Sequence, residues 1–98
     1  WATTTPVPHD LRCVDPLRGT IFEQRAADVD EYNDLARRIM ENKTIPINDL
    51  NGLSRPRLEQ IQLADDIHFS RAGDAFLGAH TARFLASMLP AAHANRGR

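Results

Sequence analysis

The order of apolar and polar positions divides the chain into segments of different period. Trp1-Ala2-Thr3-Thr4-Thr5-Pro6-Val7-Pro8 is rich in β-branched residues and closes on Pro-x-Pro, which predicts the final part of a strand. Residues 9–27 show no sustained period and carry Pro16 and Gly19, so a long loop is expected there. From Asp28 the pattern becomes helical: Val29, Tyr32, Ala36, Ile39 and Met40 recur at three- and four-residue steps, and Leu35 widens the stripe. Asp28, Asp30 and Glu31 lie early and Arg37, Arg38 and Lys43 late, as the helix dipole favours.

Thr44-Ile45-Pro46-Ile47-Asn48-Asp49-Leu50, closed by Asn51-Gly52, predicts a second short strand. Pro46 places it at a sheet edge or early in the strand, because proline cannot donate to a ladder. Ser54 to Gln60 predicts a short helix with Pro56 in its first turn, and residues 61–69 a connecting loop. The last helix is the longest. Phe76, His80, Phe84 and Met88 repeat at i, i+4 steps, Leu77, Leu85 and Leu89 flank them, Ser70 is placed to cap the start, and Pro90 ends it. Residues 91–98 are small and polar and are expected to form a flexible tail. Strands alternating with helices imply a parallel sheet with covering helices. Two strands do not complete such a sheet, so residues 1–90 are expected to be the C-terminal portion of a larger α/β domain. The chain is expected to be truncated or processed ahead of Trp1.

Composition narrows the function classes. At 98 residues, 42% hydrophobic and 26% charged, the chain fits one globular domain or a piece of one. A net charge of −1 gives no electrostatic case for nucleic acid or acidic membranes. Its apolar runs are broken well short of the roughly 20 residues that span a bilayer. A single cysteine, Cys13, excludes an internal disulfide framework. No targeting segment is readable, and composition leaves the compartment open.

The densest chemistry lies in Asp65-Asp66-Ile67-His68-Phe69-Ser70-Arg71-Ala72-Gly73. A carboxylate three residues ahead of a histidine can take one imidazole N–H and leave the other nitrogen free as a base. That block leads into an aliphatic helix and resembles the last sequence block of the SGNH (GDSL-type) hydrolases. There, Asp-x-x-His is followed by an apolar residue, Ser or Thr, and a glycine. The opening Trp1-Ala2-Thr3-Thr4-Thr5-Pro6-Val7 resembles the strand after the family's Asn-containing block. Val29-Asp30-Glu31-Tyr32-Asn33 and Ile45-Pro46-Ile47-Asn48-Asp49-Leu50 resemble the helix and strand between these points. The resemblance runs in order from residue 1 to about residue 86.

The resemblance implies a three-layer α/β/α (flavodoxin-like) parallel-sheet domain that cleaves carboxylic esters through a serine, with no cofactor. His68 matches the general base and Asp65 the residue that orients it. Asp66 stands where the family commonly has glycine. The family's nucleophile block and oxyanion-hole residues have no counterpart in these residues, so this portion is expected to need an N-terminal part and to be inactive alone. Acylated carbohydrates, simple acyl esters and lipids all fit as substrates.

The remaining candidates are weaker. Ser70 reads as a helix cap rather than a nucleophile, Ser54 as a helix start, and Ser87 lies on the last helix. His9 and Cys13 could give two metal ligands, but no second pair completes a site, so no metal is expected. His80 and Tyr32 read as packing residues, Asn33 as a helix-surface residue, and His93 as part of the tail. A helix-turn-helix DNA-binding module over Leu58 to Phe84 is the alternative. Residues 70–89 carry only Arg71 and Arg83 for phosphates, with Asp74 beside them, and the strand-like segments would go unexplained.

Overall fold

The helical period that begins near Asp28 becomes α1 (Ala26–Asn42), and the i, i+4 stripe near the C-terminus becomes α4 (Arg71–Met88). The computed structural model describes residues 1–90; the tail expected at 91–98 lies outside them. Between these helices lie α2 (Leu50–Ser54), a 3₁₀ turn (Arg55–Arg57) and α3 (Leu58–Ile61). Ahead of α1 are β1 (Leu11–Val14) and β2 (Ile21–Gln24).

The flavodoxin-like parallel sheet expected from the alternating pattern is not formed among the described residues. Their one sheet is the antiparallel β1–β2 hairpin, with Leu11 opposite Gln24 and Val14 opposite Ile21. Residues 1–8 and 44–50, expected as strands, meet at a single parallel bridge, Ala2 beside Asn48. Thr3 N–H donates to the Asn48 carbonyl at 3.0 Å, and Asn48 N–H to the Trp1 carbonyl at 2.7 Å. The ladder stops there for local reasons. Pro6, Pro8 and Pro46 remove donors from both segments, and the Asp49 side chain accepts from Gly52 N–H to start α2 at once.

Instead of a neighbouring strand, side-chain amides hold the N-terminal segment. Asn33 of α1 pairs with Thr4 both ways, its Oδ1 accepting from Thr4 N–H and its Nδ2 donating to Thr4 O, each at 2.8 Å. Asn51 of α2 donates to the same carbonyl at 2.9 Å, and Gln62, just past α3, donates to Pro6 O at 3.0 Å. Thr3, Asn33, Asn48, Asn51, Ser54 and Gln62 are all buried, whereas the buried apolar side chains among the described residues are Pro6 and Ile61. Asn33 is therefore an interior residue, not the surface residue its place beside the apolar stripe suggested.

The stretch 9–27, expected as a loop, contains the hairpin. Asp15 closes it with an Asx turn: its carboxylate accepts from Leu17 N–H at 2.8 Å and Arg18 N–H at 3.3 Å, and Gly19 supplies the left-handed backbone at φ 65°. Asp10 then reaches across to Ala26 N–H at 2.9 Å and caps α1, a task the Arg25 side chain does not perform. At its other end α1 stops in a Schellman arrangement. Ile45 N–H returns to Met40 O, Thr44 N–H returns to Glu41 O, and Thr44 takes the left-handed conformation at φ 55°.

α4 docks where a side chain would not fit. A Cβ on Gly73 would lie 2.2 Å from the Ile61 carbonyl oxygen, whereas one on the exposed Gly78 meets nothing within 4 Å. Gly78→Ala should thus stabilise the fold by about 1 kcal/mol, the helix-propensity difference. Gly73→Ala should destabilise it by about 1–3 kcal/mol despite the same propensity gain, since backbone must move. Urea midpoints of the two variants test both signs.

Asp49 links the N-terminal segment to α1 and α2. Its Oδ1 accepts from Thr3 Oγ1 at 3.0 Å and Gly52 N–H at 3.1 Å, with Arg37 at 3.3 Å. Partial burial pushes its pKa up, but the Gly52 N–H, the Thr3 hydroxyl and Arg37 outweigh it and hold the carboxyl below its ordinary value. Its contribution to stability is therefore complete above the ordinary aspartate value of about 3.9 and declines as pH falls toward the depressed one. Wild type should lose urea resistance across that window, and Asp49→Asn should show a shallower dependence there.

Candidate functional site

The loop between α3 and α4 is tied at its base. Gln62 bridges Phe69 in antiparallel fashion, and Leu63 N–H donates to His68 O at 2.9 Å. The Ile61 carbonyl accepts from both Ser70 N–H (2.8 Å) and Ser70 Oγ (3.1 Å), and Ser70 Oγ accepts from Gly73 N–H at 3.1 Å. Ser70 is thus the predicted cap of α4, and it also closes the loop. Gln62 Nε2 reaches inside it to Ile67 O at 3.3 Å.

His68 and Asp65, the two residues singled out by spacing, are not brought together. Asp65 sits at φ 53°, and its carboxylate faces His9 Nε2 at 3.1 Å. The positive φ falls at Asp65, one position before the residue where the SGNH pattern has glycine. Asp66 faces the ring instead. Its Oδ1 accepts from His68 N–H at 3.0 Å and lies 2.7 Å from His68 Nδ1. The first contact is an Asx turn, in which a side-chain oxygen meets the amide two residues on; that turn delivers the ring of the same residue to the same oxygen. With the carboxylate as acceptor, a neutral imidazole here carries its proton on Nδ1 and keeps a free lone pair on Nε2. The imidazole is 74% exposed, so Nε2 is open to an incoming group.

The backbone N–H of His68, followed by its ring, holds the Asp66 carboxyl below the ordinary aspartate range. The sequence pointed to Asp65 because a carboxylate three residues ahead of a histidine can reach its ring and because Asp65 matches the aspartate of the SGNH block. The signal for Asp66 was present in Asp-x-His, the spacing of an Asx turn.

Two open clefts flank the loop. One of about 800 Å³ includes His9, Asp65, Arg55, Arg57 and Glu59 in its wall. The other, of about 450 Å³, is bounded by Thr4, Val7, Gln24, Val29, Tyr32 and Ile67. Each serine hydroxyl donates to backbone carbonyl: Ser54 to Leu50 O and Asn51 O, Ser70 to Ile61 O, and Ser87 to Phe84 O. Cys13 lies in β1 opposite Phe22, and His9 has its partner in Asp65. Among the described residues, no three His, Cys, Asp or Glu side chains converge as a metal site, and no helix is long and apolar enough to cross a membrane. Comparison with family models, curated proteins and solved structures finds no match to this chain.

Because the backbone N–H of His68 contributes most to the depressed Asp66 carboxyl, His68→Ala should leave that carboxyl still below the ordinary range. A carboxyl ¹³C titration checks this; a return to ordinary behaviour would show that the ring dominates.

Proposed function

We propose that this chain supplies the general base of a serine ester hydrolase of the SGNH type, with the nucleophile and oxyanion hole contributed by residues beyond it. The observation that carries the reading is the imidazole of His68: Nδ1 is held by a carboxylate at 2.7 Å and Nε2 is exposed, in the sequence block that resembles the family's base-bearing block. In such a reaction Nε2 takes the proton of a serine hydroxyl as its oxygen attacks the ester carbonyl, and the carboxylate stabilises the imidazolium. The proton then passes to the departing alcohol oxygen, and water repeats the sequence on the acyl-enzyme.

Two further features support a role within a larger assembly. No serine of the chain has a hydroxyl hydrogen bonded to His68; all three donate to backbone carbonyls. Tyr32, Leu35 and Ile39 on α1, Phe22 and Ile21 on β2, and Leu85 and Met88 on α4 are all exposed, leaving apolar area available for further packing. The DNA-binding alternative draws less support: α3 has four residues, and residues 62–70 connect it to α4, longer than the three- or four-residue turn of that motif.

The test uses a polypeptide in which this chain is joined to a Gly-Asp-Ser-type block, assayed with a chromogenic acyl ester. His68→Ala should lower kcat by roughly 10⁴-fold or more, as expected for loss of a triad base. Unchanged turnover in that variant would remove the hydrolase reading.

A further inference from the structure

The geometry points to Asp66, not Asp65, as the residue that positions His68, with His9 engaging Asp65 on the other side of the loop. The catalytic meaning of this pairing rests on the hydrolase reading; the pairing itself does not.

Three observations converge. A single oxygen of Asp66 meets both the backbone N–H of His68 at 3.0 Å and its ring nitrogen at 2.7 Å, so loop closure and ring orientation share one acceptor. The Asp65 carboxylate lies 3.1 Å from His9 Nε2, and its backbone is in the left-handed region. The two aspartates are adjacent, yet their side chains serve different histidines, one from the N-terminal segment and one from the loop. An Asp-x-x-His pairing would require Asp65 to leave His9, while Asp66 already holds the nitrogen that Asp65 would approach. His9 thus occupies Asp65 and leaves Asp66 as the carboxylate at the ring, a contact that spacing within the loop could not reveal.

Ring-nitrogen NMR of the chain reads the assignment directly. In neutral His68, identified by loss of its signals in His68→Ala, the ¹⁵N pattern should report a protonated Nδ1. Asp66→Ala should lose that pattern and spread the proton over both nitrogens, whereas Asp65→Ala and His9→Ala should keep it. Asp66→Asn separates turn from charge: it preserves an oxygen for the His68 N–H but not the carboxylate. Retention of the pattern in Asp66→Ala together with its loss in Asp65→Ala would overturn the assignment.

The second arm measures ester hydrolysis in the polypeptide that also carries the nucleophile block. Asp66→Ala and Asp66→Asn should each lower kcat on the order of 10⁴-fold, the scale expected when a triad carboxylate is removed. Asp65→Ala should stay within about tenfold of wild type, because its carboxylate does not hold the ring. The reverse order of effects would return the positioning role to Asp65. Absence of hydrolysis in the wild-type polypeptide, with the NMR pattern as expected, would overturn the hydrolase reading and support the pairing.

Discussion

An extended segment with almost no strand beside it must still satisfy its backbone, and that constraint organises the chain. Residues 1–6 form one parallel bridge, and beyond it their amides and carbonyls turn to Asn33, Asn51 and Gln62. These residues lie on α1, on α2 and just past α3. One spine of backbone therefore fixes the relative positions of three elements. Each such hydrogen bond contributes on the order of 1 kcal/mol net, but an unmade one in a buried place costs more than it would have contributed. The interior is consequently directional: amides must point the right way, whereas aliphatic side chains could slide.

This polar interior has a counterpart on the outside. Apolar stripes on α1 and α4 have helical spacing yet remain partly open, at Tyr32, Leu35, Ile39, Leu85 and Met88, and the hairpin exposes Val14, Ile21 and Phe22. Hydrophobic burial within the described residues centres on Ile61, whose carbonyl also receives Ser70 and crowds Gly73. Aliphatic packing and loop anchoring thus coincide at the junction from which the histidine loop departs.

The helices were legible where period and end signals agreed. α1 follows the stripe from Val29 to Met40, and α4 starts after Ser70 and stops before Pro90, because repeat spacing and capping chemistry are properties of the local chain. The hairpin was less legible. Its strands are too short for alternation to stand out, although Asp15 and Gly19 were turn signals. The expected strand at 44–50 failed because β-branched composition does not guarantee a pairing partner, and Asp49 begins a helix inside that segment. At the site, His68 was visible from its sequence block. Asp66 was signalled by Asp-x-His, the spacing of an Asx turn, whereas the contact of Asp65 with His9 spans residues that no local spacing connects.

The shared oxygen on Asp66 has a mechanical consequence. Because one atom receives both the amide and the ring of His68, a rotation about the Asp66 side chain's first bond would break two contacts together. Backbone curvature and imidazole direction are therefore geared to a single torsion. Any motion of the loop that changes this torsion also turns the base, so the histidine's aim becomes a readout of the loop's shape.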